Sequence, residues 1–340
     1  MNKSGFCLFD GQALTPLLPL LLILETGVGI VGNGVALWIF CFYLKPWKTS
    51  TVLLVNLALA DFMLLLALPF RISYYLRHKD WIFGDAFCRI NLFMLALNRT
   101  GSIFFLTVIA LDRYFKVVHP HSRINSLSVR QVICTACGMW TLAIGLASMI
   151  LTESHLFPNQ TQDALTQCDS FAISMYSASV SYWYYVLFLV EFFVPLLVTL
   201  FCAMAVITRL HKRDLDKQTR IKRALVCLCV VVVVFVVCFL PSKVTRIAIW
   251  VTRASHEADC EGLRNLDNAF YFTVSITYLN SVLDPLVYFY SSPTFRRLYF
   301  FKLWKTFKKK TVTGVTDLRT RQSEDTTIAS ERPANHLLVQ

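Results

Sequence analysis

Seven stretches of this chain, at about 17–43, 51–76, 86–118, 129–151, 183–210, 222–251 and 266–290, are dominated by apolar residues. A helical run of about 18 residues or more is long enough to cross roughly 30 Å of hydrocarbon. Backbone N–H and C=O groups find no water in lipid, so a spanning segment must pair them internally and fold as a helix. The composition agrees: 56% of the residues are hydrophobic and only 16% charged, against about 25% charged in a soluble domain. Mean hydropathy is +0.54. The expected fold class is an all-α membrane protein, a seven-transmembrane helix bundle with a short amphipathic eighth helix. The expected limits are an extracellular N-terminal segment at 1–15, the seven-transmembrane domain at 16–291, a membrane-surface helix at 292–305 and a disordered cytoplasmic tail at 306–340.

A net charge of +12 raises the question of nucleic acid, and the distribution of the charge answers it. Basic residues crowd the links after spans one, three and five and the tail: Lys45 and Lys48, then Lys116, Arg123 and Arg130, then Arg209 to Arg223, then Arg296 to Lys310. Basic links lie on the cytoplasmic side of a membrane protein. The N-terminus is therefore placed outside and, after seven spans, the C-terminus inside. The opposite links hold most of the loop acids, Asp80, Asp85, Glu153, Asp163, Asp169, Glu257, Asp259 and Glu261 among them. The first apolar run is too long and starts too late for a cleavable signal peptide. No nucleic-acid partner is expected.

The third span organises the rest. Cys88 stands near its outer end and Asp112-Arg113-Tyr114 near its inner end, with Arg99 between. At 1.5 Å rise per residue, Arg99 sits about 21 Å above Arg113, within or close to the hydrocarbon. An arginine there costs about 2.5–3.5 kcal/mol on the lenient insertion scale and marks a functional site by default. Two further arginines, Arg71 on span two and Arg246 on span six, approach the outer surface. A guanidinium is a planar, always-charged fork suited to a carboxylate. Arg71 can also snorkel to the headgroups, and each of the three arginines can instead pair with Asp169 or with backbone carbonyls.

Deeper in, Asp61 on span two is an acid in mid-membrane. Ser102, Asn280 and Asp284 fall at comparable depth on other spans. The adjacent Asp112 and Arg113 can form a neutralised pair that opens when Arg113 is offered another partner. Span five contains Pro195, and on span six Pro241 removes a backbone hydrogen bond and kinks the helix.

Four of the eleven cysteines fall on the outer side, Cys7, Cys88, Cys168 and Cys260, and four cysteines allow three connectivities. The other seven lie in spans and read as free, small apolar side chains. Asn2 and Asn159 head glycosylation sequons on the outer side, while Asn98 matches the sequon inside a span, out of reach of glycosylation. Residues 293–305 mix aromatic and basic residues and are too charged to span, so they read as an amphipathic helix on the inner leaflet. The Ser/Thr-rich tail offers phosphorylation sites such as Thr313, Thr316 and Ser323. No HExxH or GxSxG motif and no paired broken helices point to an enzyme or a transporter.

The ordered set of Gly32-Asn33, the LALAD run ending at Asp61, Cys88 with Cys168, Asp112-Arg113-Tyr114, CFLP at 238–241 and DPLVY at 284–288 resembles the rhodopsin-type G-protein-coupled receptors. The resemblance covers about residues 15–305. It implies a Cys88–Cys168 disulfide and a second between Cys7 and Cys260. It makes Asp112, Arg113 and Tyr114 the inner microswitch, with Phe239 and Pro241 as the pivot of span six and Asp284, Pro285 and Tyr288 as the corresponding motif of span seven. It implies that Asp61, Ser102, Asn280 and Asp284 hold a sodium ion, with no other cofactor. It implies a heterotrimeric G protein of the inhibitory (Gi/o) type as partner, with arrestin and receptor kinases acting on the tail. The chain departs from the pattern in several places. Asp284 stands where Asn is usual, Phe239 where Trp is commoner and Ala203 where a Tyr normally assists the switch. No Cys follows span seven to carry a palmitoyl anchor, so aromatic contact with membrane lipids must hold the eighth helix.

Span seven has no Lys, so an opsin-like Schiff base is excluded, and Leu95 stands where amine receptors carry Asp. LALNRTGSI at 95–103, KPWKTSTV at 45–52 and SSPTF at 291–295, together with Arg71, Arg99 and Arg246, resemble the hydroxycarboxylic acid receptors, with the oxoeicosanoid receptor close behind. The former likeness implies a small carboxylate ligand anchored on Arg99. Arg71, Arg246, Tyr278 and the loop residues Asp169, Ser170 and Phe171 would line the same pocket. The expected function is a plasma-membrane receptor for a lactate-like monocarboxylate that lowers cAMP. The alternative is a receptor for an oxidised fatty acid.

Overall fold

The structure is a computed structural model, and it describes residues 16–152, 155–158, 166–168, 182–211, 218–254 and 260–299. Its first three helices are α1 (Leu17–Phe42), α2 (Thr49–Leu76) and α3 (Asp85–Val118). A short 3-10 turn, Arg123–Ser126, leads to α4 (Val129–Ala147) and the one-turn α5 (Met149–Thr152). Two short strands, β1 (Leu156–Pro158) and β2 (Thr166–Cys168), pair antiparallel with Leu156 opposite Cys168. Then come α6 (Tyr182–His211), α7 (Gln218–Val233), a π-helical segment Val234–Phe239, α8 (Leu240–Ala254), α9 (Cys260–Thr277) and α10 (Asn280–Ser291).

Among the described residues, six stretches are long and apolar enough to cross a membrane: α1, α2, α3, Val129–Thr152, Val186–His211 and Ile221–Thr252. The last of these is α7, the π segment and α8 run together. The seventh span is α9 followed by α10, and it departs from the expected 266–290 in two ways. It begins at Cys260, and it is interrupted at Tyr278-Leu279. There Tyr278 N–H bonds to Ser275 O, and Leu279 N–H to Ile276 O, three residues back rather than four.

Proline explains much of the irregularity. Pro285 has no N–H to give to the Ser281 carbonyl four residues earlier. Asn33 on α1 fills that place, its Nδ2 donating to Ser281 O at 2.7 Å. On span six the segment before Pro241 widens to a π turn, in which Leu240 N–H reaches Phe235 O. The kink expected at Pro241 therefore takes the form of a π-helical stretch ending beside it.

Close helix approach depends on small residues, as it does in membranes generally. A Cβ on Gly32 would sit 2.8 Å from Pro285 Cγ, so α1 can lie this near α10 only because residue 32 is glycine. Gly101 of α3 faces Ala60 of α2 and Trp140 of α4. The Trp140 indole also donates to Asn56 Oδ1 at 2.8 Å, tying span four to span two. Ser128 and Gln131 form a reciprocal capping box that starts α4. α3 lies at the centre, packed against α2, α4, α6 and α7. Its buried face includes Leu92, Leu95, Ile103, Phe105 and Leu106. Leu20, Val31, Leu142, Leu197, Phe201 and Met204 are exposed on the outer faces of the helices, where a water-soluble protein would not concentrate large apolar side chains. Residues 294–299 belong to a second unit of the chain; they are helical, and the Phe295 and Tyr299 rings stack at 5.9 Å. The expected tail at 306–340 lies outside the described residues.

Candidate ligand pocket and signalling core

At the Cys88 end of the bundle, the Cys88–Cys168 disulfide joins α3 to β2. β2 is fastened at further points. Trp81 N–H donates to Thr166 O at 2.7 Å, and Thr166 N–H to Asp80 Oδ1 at 3.2 Å. Arg71 is buried, and its Nη1 donates to Cys168 O at 2.6 Å while the guanidinium lies 5.4 Å from the centre of the Tyr74 ring. Of the two fates open to Arg71, the structure favours backbone pairing over snorkelling: part of its fork braces the strand above the bundle. Tyr278 sits at the break in span seven, in a buried cluster with Leu92, Leu95, Tyr74, Tyr75, Trp81 and the disulfide.

Arg99 is half-buried on α3, and its Nε is buried with no hydrogen-bond partner among the described residues. Arg246 is buried on α8 with its guanidinium 4.8 Å from the Phe188 ring centre. Lys243, one turn before Arg246, is 1% exposed and lies within electrostatic range of both Arg99 and Arg246. Its ammonium stands 3.7 Å from the Phe188 ring centre and 4.0 Å from Glu191 Oε2 on α6. Glu191 Oε1 accepts a 2.5 Å hydrogen bond from Thr100, the neighbour of Arg99.

Sequence reasoning passed over Lys243 and Glu191, and also Glu25 of α1, whose two carboxylate oxygens are buried without a hydrogen-bond partner among the described residues. The signal that singled out Arg99, a charge inside an apolar run, was present at all three. Arg71, Arg99, Arg246 and Tyr278 all belong to this outer half of the bundle. Asp169, Ser170 and Phe171, assigned to the same pocket, lie outside the described residues, as do Asn2, Asn159 and Cys7. The proposed Cys7–Cys260 bridge is therefore undescribed, while Cys260 starts α9. The seven cysteines read as free are free: Cys41, Cys134, Cys137, Cys202, Cys227, Cys229 and Cys238.

Midway down, a polar core joins α1, α2, α3 and α10. Tyr288 Oη lies 3.0 Å from both Asn33 Oδ1 and Asp61 Oδ2. Asn98 Nδ2 reaches Ala60 O at 3.0 Å and lies 3.5 Å from Asp61 Oδ1. Asn280 Nδ2 donates to Ser102 Oγ at 3.0 Å. Asp61, Ser102, Asn280 and Asp284 are all fully buried. Among the described residues, the two oxygens of Asp284 and Oδ1 of Asn280 have no hydrogen-bond partner, and Asp284 interacts electrostatically with Asp61. Two carboxylates, an amide oxygen and a hydroxyl are the hard oxygen donors that a small cation such as sodium requires. The residue set fits the ion that the resemblance implies.

At the far end of α3, Arg113 pairs with Asp112, donates to Ser50 Oγ of α2 at 2.8 Å and to Ser291 O of α10 at 3.0 Å. Lys116 pairs with the other Asp112 oxygen at 2.6 Å. The expected neutralised pair is present, and it ties three helices together. Tyr114 Oη lies 3.0 Å from His119 Nε2. Ala203, where a tyrosine was expected to assist, packs instead in an apolar cluster with Ala110, Val206, Ile221 and Leu228. Phe239 is buried in the π segment, edge-on to Phe235 at 5.9 Å.

The sequence pattern of the 7 transmembrane receptor (rhodopsin family) group matches residues 32–288. The chain is 45% identical to human hydroxycarboxylic acid receptor 3 over 318 residues, which cover 93% of this chain and 80% of that receptor. It is 45% identical to mouse hydroxycarboxylic acid receptor 1 over 331 residues, 97% of this chain and 92% of that one. It is 39% identical to human oxoeicosanoid receptor 1 over 279 residues, 81% of this chain and 69% of that receptor.

Proposed function

The chain belongs to the rhodopsin family of seven-transmembrane receptors, and from that premise we propose that it answers a small organic monocarboxylate of the hydroxycarboxylic, lactate-like kind. It is a multi-pass membrane receptor rather than an enzyme. The observation that carries the ligand class is Arg99: a guanidinium inside the bundle whose Nε is buried without a hydrogen-bond partner among the described residues. A guanidinium nitrogen buried without a hydrogen bond is costly, and a carboxylate that pairs with the fork bidentately can relieve that cost. Arg246 and Tyr278 complete the wall of the pocket, and Arg71 holds its roof in place.

In this reading the receptor sits in the plasma membrane with the Cys88 end outside and the Arg113 end in the cytosol. The ligand acts because it binds the signalling arrangement better than the resting one. Movement of α7 relative to α8 about the π segment and Pro241 would open the Arg113 end to an inhibitory (Gi/o) G protein. Receptor kinases and arrestin would then act on the Ser/Thr-rich tail. A sodium ion held by Asp61, Ser102, Asn280 and Asp284 would neutralise the buried carboxylates of the resting state. The oxidised-fatty-acid alternative is the weaker one, because Lys243, Glu191 and Arg246 leave the outer half too charged to favour a long apolar tail.

The test is inhibition of forskolin-raised cAMP in cells expressing the full chain, wild type beside Arg99→Ala at matched surface expression, across short hydroxy acids and oxidised fatty acids. A short-acid response lost in the variant supports the proposal. A response confined to long oxidised lipids selects the alternative, and an agonist response untouched by Arg99→Ala removes the pocket as drawn.

A further inference from the structure

We propose that Lys243 and Glu191 form a hydroxyl-reading subsite beside Arg99, which makes this receptor discriminate a hydroxy acid from the same acid without its hydroxyl. The inference rests on the reading of Arg99 as the carboxylate anchor and adds what recognises the rest of the ligand.

The geometry is that of an incomplete pair. Lys243 Nζ and Glu191 Oε2 are 4.0 Å apart, too far for a hydrogen bond and near enough for one oxygen atom to bridge. Two hydrogen bonds of about 2.8 Å each span that gap when they meet at roughly a right angle. Both ends are held. Thr100 fixes the other oxygen of Glu191 at 2.5 Å, and the Phe188 carbonyl, 3.4 Å away, takes one of the three protons of Lys243. The Phe188 ring lies against the same ammonium, so the remaining donor capacity has few directions left. Lys243 is 1% exposed and the Glu191 side chain 10%, so neither charge is well served by bulk water.

Such a gap asks for a group that accepts from an ammonium and donates to a carboxylate at once. A hydroxyl does both. A ketone or an ether oxygen accepts from Lys243 but sets a lone pair against Glu191, and a methylene does neither. Glu191 is hydrogen-bonded to Thr100, the residue next to Arg99, and Lys243 lies within electrostatic range of Arg99 itself. A ligand whose carboxylate rests on Arg99 therefore has its polar substituent read by groups tied to the same helix.

The test uses the full-length wild-type receptor in the cAMP assay with 2-hydroxypropanoate, propanoate and 2-methoxypropanoate, and with 3-hydroxybutanoate and butanoate. The hydroxy acid of at least one series is expected to act at a concentration tenfold or more below its deoxy partner, with the methyl ether no better than the deoxy acid. In Lys243→Met and Glu191→Gln that preference should fall to within about threefold, with a response to the deoxy acid retained. Wild-type potencies within threefold of one another in both series overturn the subsite. So does a methyl ether that matches its hydroxy acid, or a preference that survives both substitutions. The wild-type ligand series can overturn the subsite even if neither variant reaches the surface. Loss of every carboxylate response, or a response unaltered in Arg99→Ala, strikes the carboxylate reading instead and is distinguished by that control.

Discussion

Asn33 supplies to Ser281, at 2.7 Å, the hydrogen bond that Pro285 cannot make. The proline in span seven and the asparagine in span one are thus two halves of one solution to an unpaired carbonyl in lipid. The same Asn33 accepts at Oδ1 from Tyr288, so one amide joins the break in span seven to the polar core.

Replacing Asn33 by Leu leaves the Ser281 carbonyl without that donor and should cost about 1–2 kcal/mol, the range for a buried hydrogen bond between membrane helices. The midpoint of thermal unfolding in detergent should fall by several degrees. Tyr288→Phe, which keeps Asn33 on Ser281, should lose less. Equal losses would mean that the Ser281 contact is not the important one.

Gly32→Ala sets a methyl group 2.8 Å from the Pro285 ring, and backbone has to move to admit it. Overpacking of this kind typically costs about 1–3 kcal/mol. Gly34→Ala is the control, because a Cβ there meets nothing within 4 Å. Reduced surface expression and thermal stability are expected for the first variant alone; indistinguishable variants would refute the close contact.

Asp112→Asn removes the carboxylate that holds both Arg113 and Lys116. Arg113 keeps only the Ser50 and Ser291 bonds, and the two cations now repel each other. Basal G-protein activation, measured as nucleotide exchange without ligand, should rise several-fold. A basal level unchanged from wild type would show that this pair does not restrain the resting state.

If sodium occupies the core of Asp61, Ser102, Asn280 and Asp284, the purified receptor should melt higher in sodium chloride than in choline chloride at equal ionic strength. An ion at about tenfold its dissociation constant adds roughly 1.4 kcal/mol. Asp61→Asn should abolish the difference between the two salts. A salt difference that persists in Asp61→Asn would place the ion elsewhere.

Arg99 was legible in the sequence because a lone charge in an apolar run is conspicuous at any register. Arg71 was not resolved, since snorkelling and pairing both suit an arginine near a helix end. Its partner, the Cys168 carbonyl, is 97 residues away and becomes visible only when β2 is pinned over α2. Lys243 and Glu191 carried the same signal as Arg99. Their meaning lies in a 4.0 Å separation across two helices that no reading of either span discloses. The break at Tyr278-Leu279 was likewise hidden.

The sequence by itself determined that the chain crosses a membrane as seven helical spans, because lipid forces each long apolar run to satisfy its own backbone locally. It also determined which charges were out of place. Tertiary structure alone decided which of those charges meet: Arg71 with the loop, Arg113 with Ser50 and Ser291, Lys243 near Glu191. The physical reason is distance along the chain. Helix formation is settled by neighbours four residues apart, whereas the partners of a buried polar group are chosen by how helices pack, and that packing brings together residues from 52 to 178 positions apart.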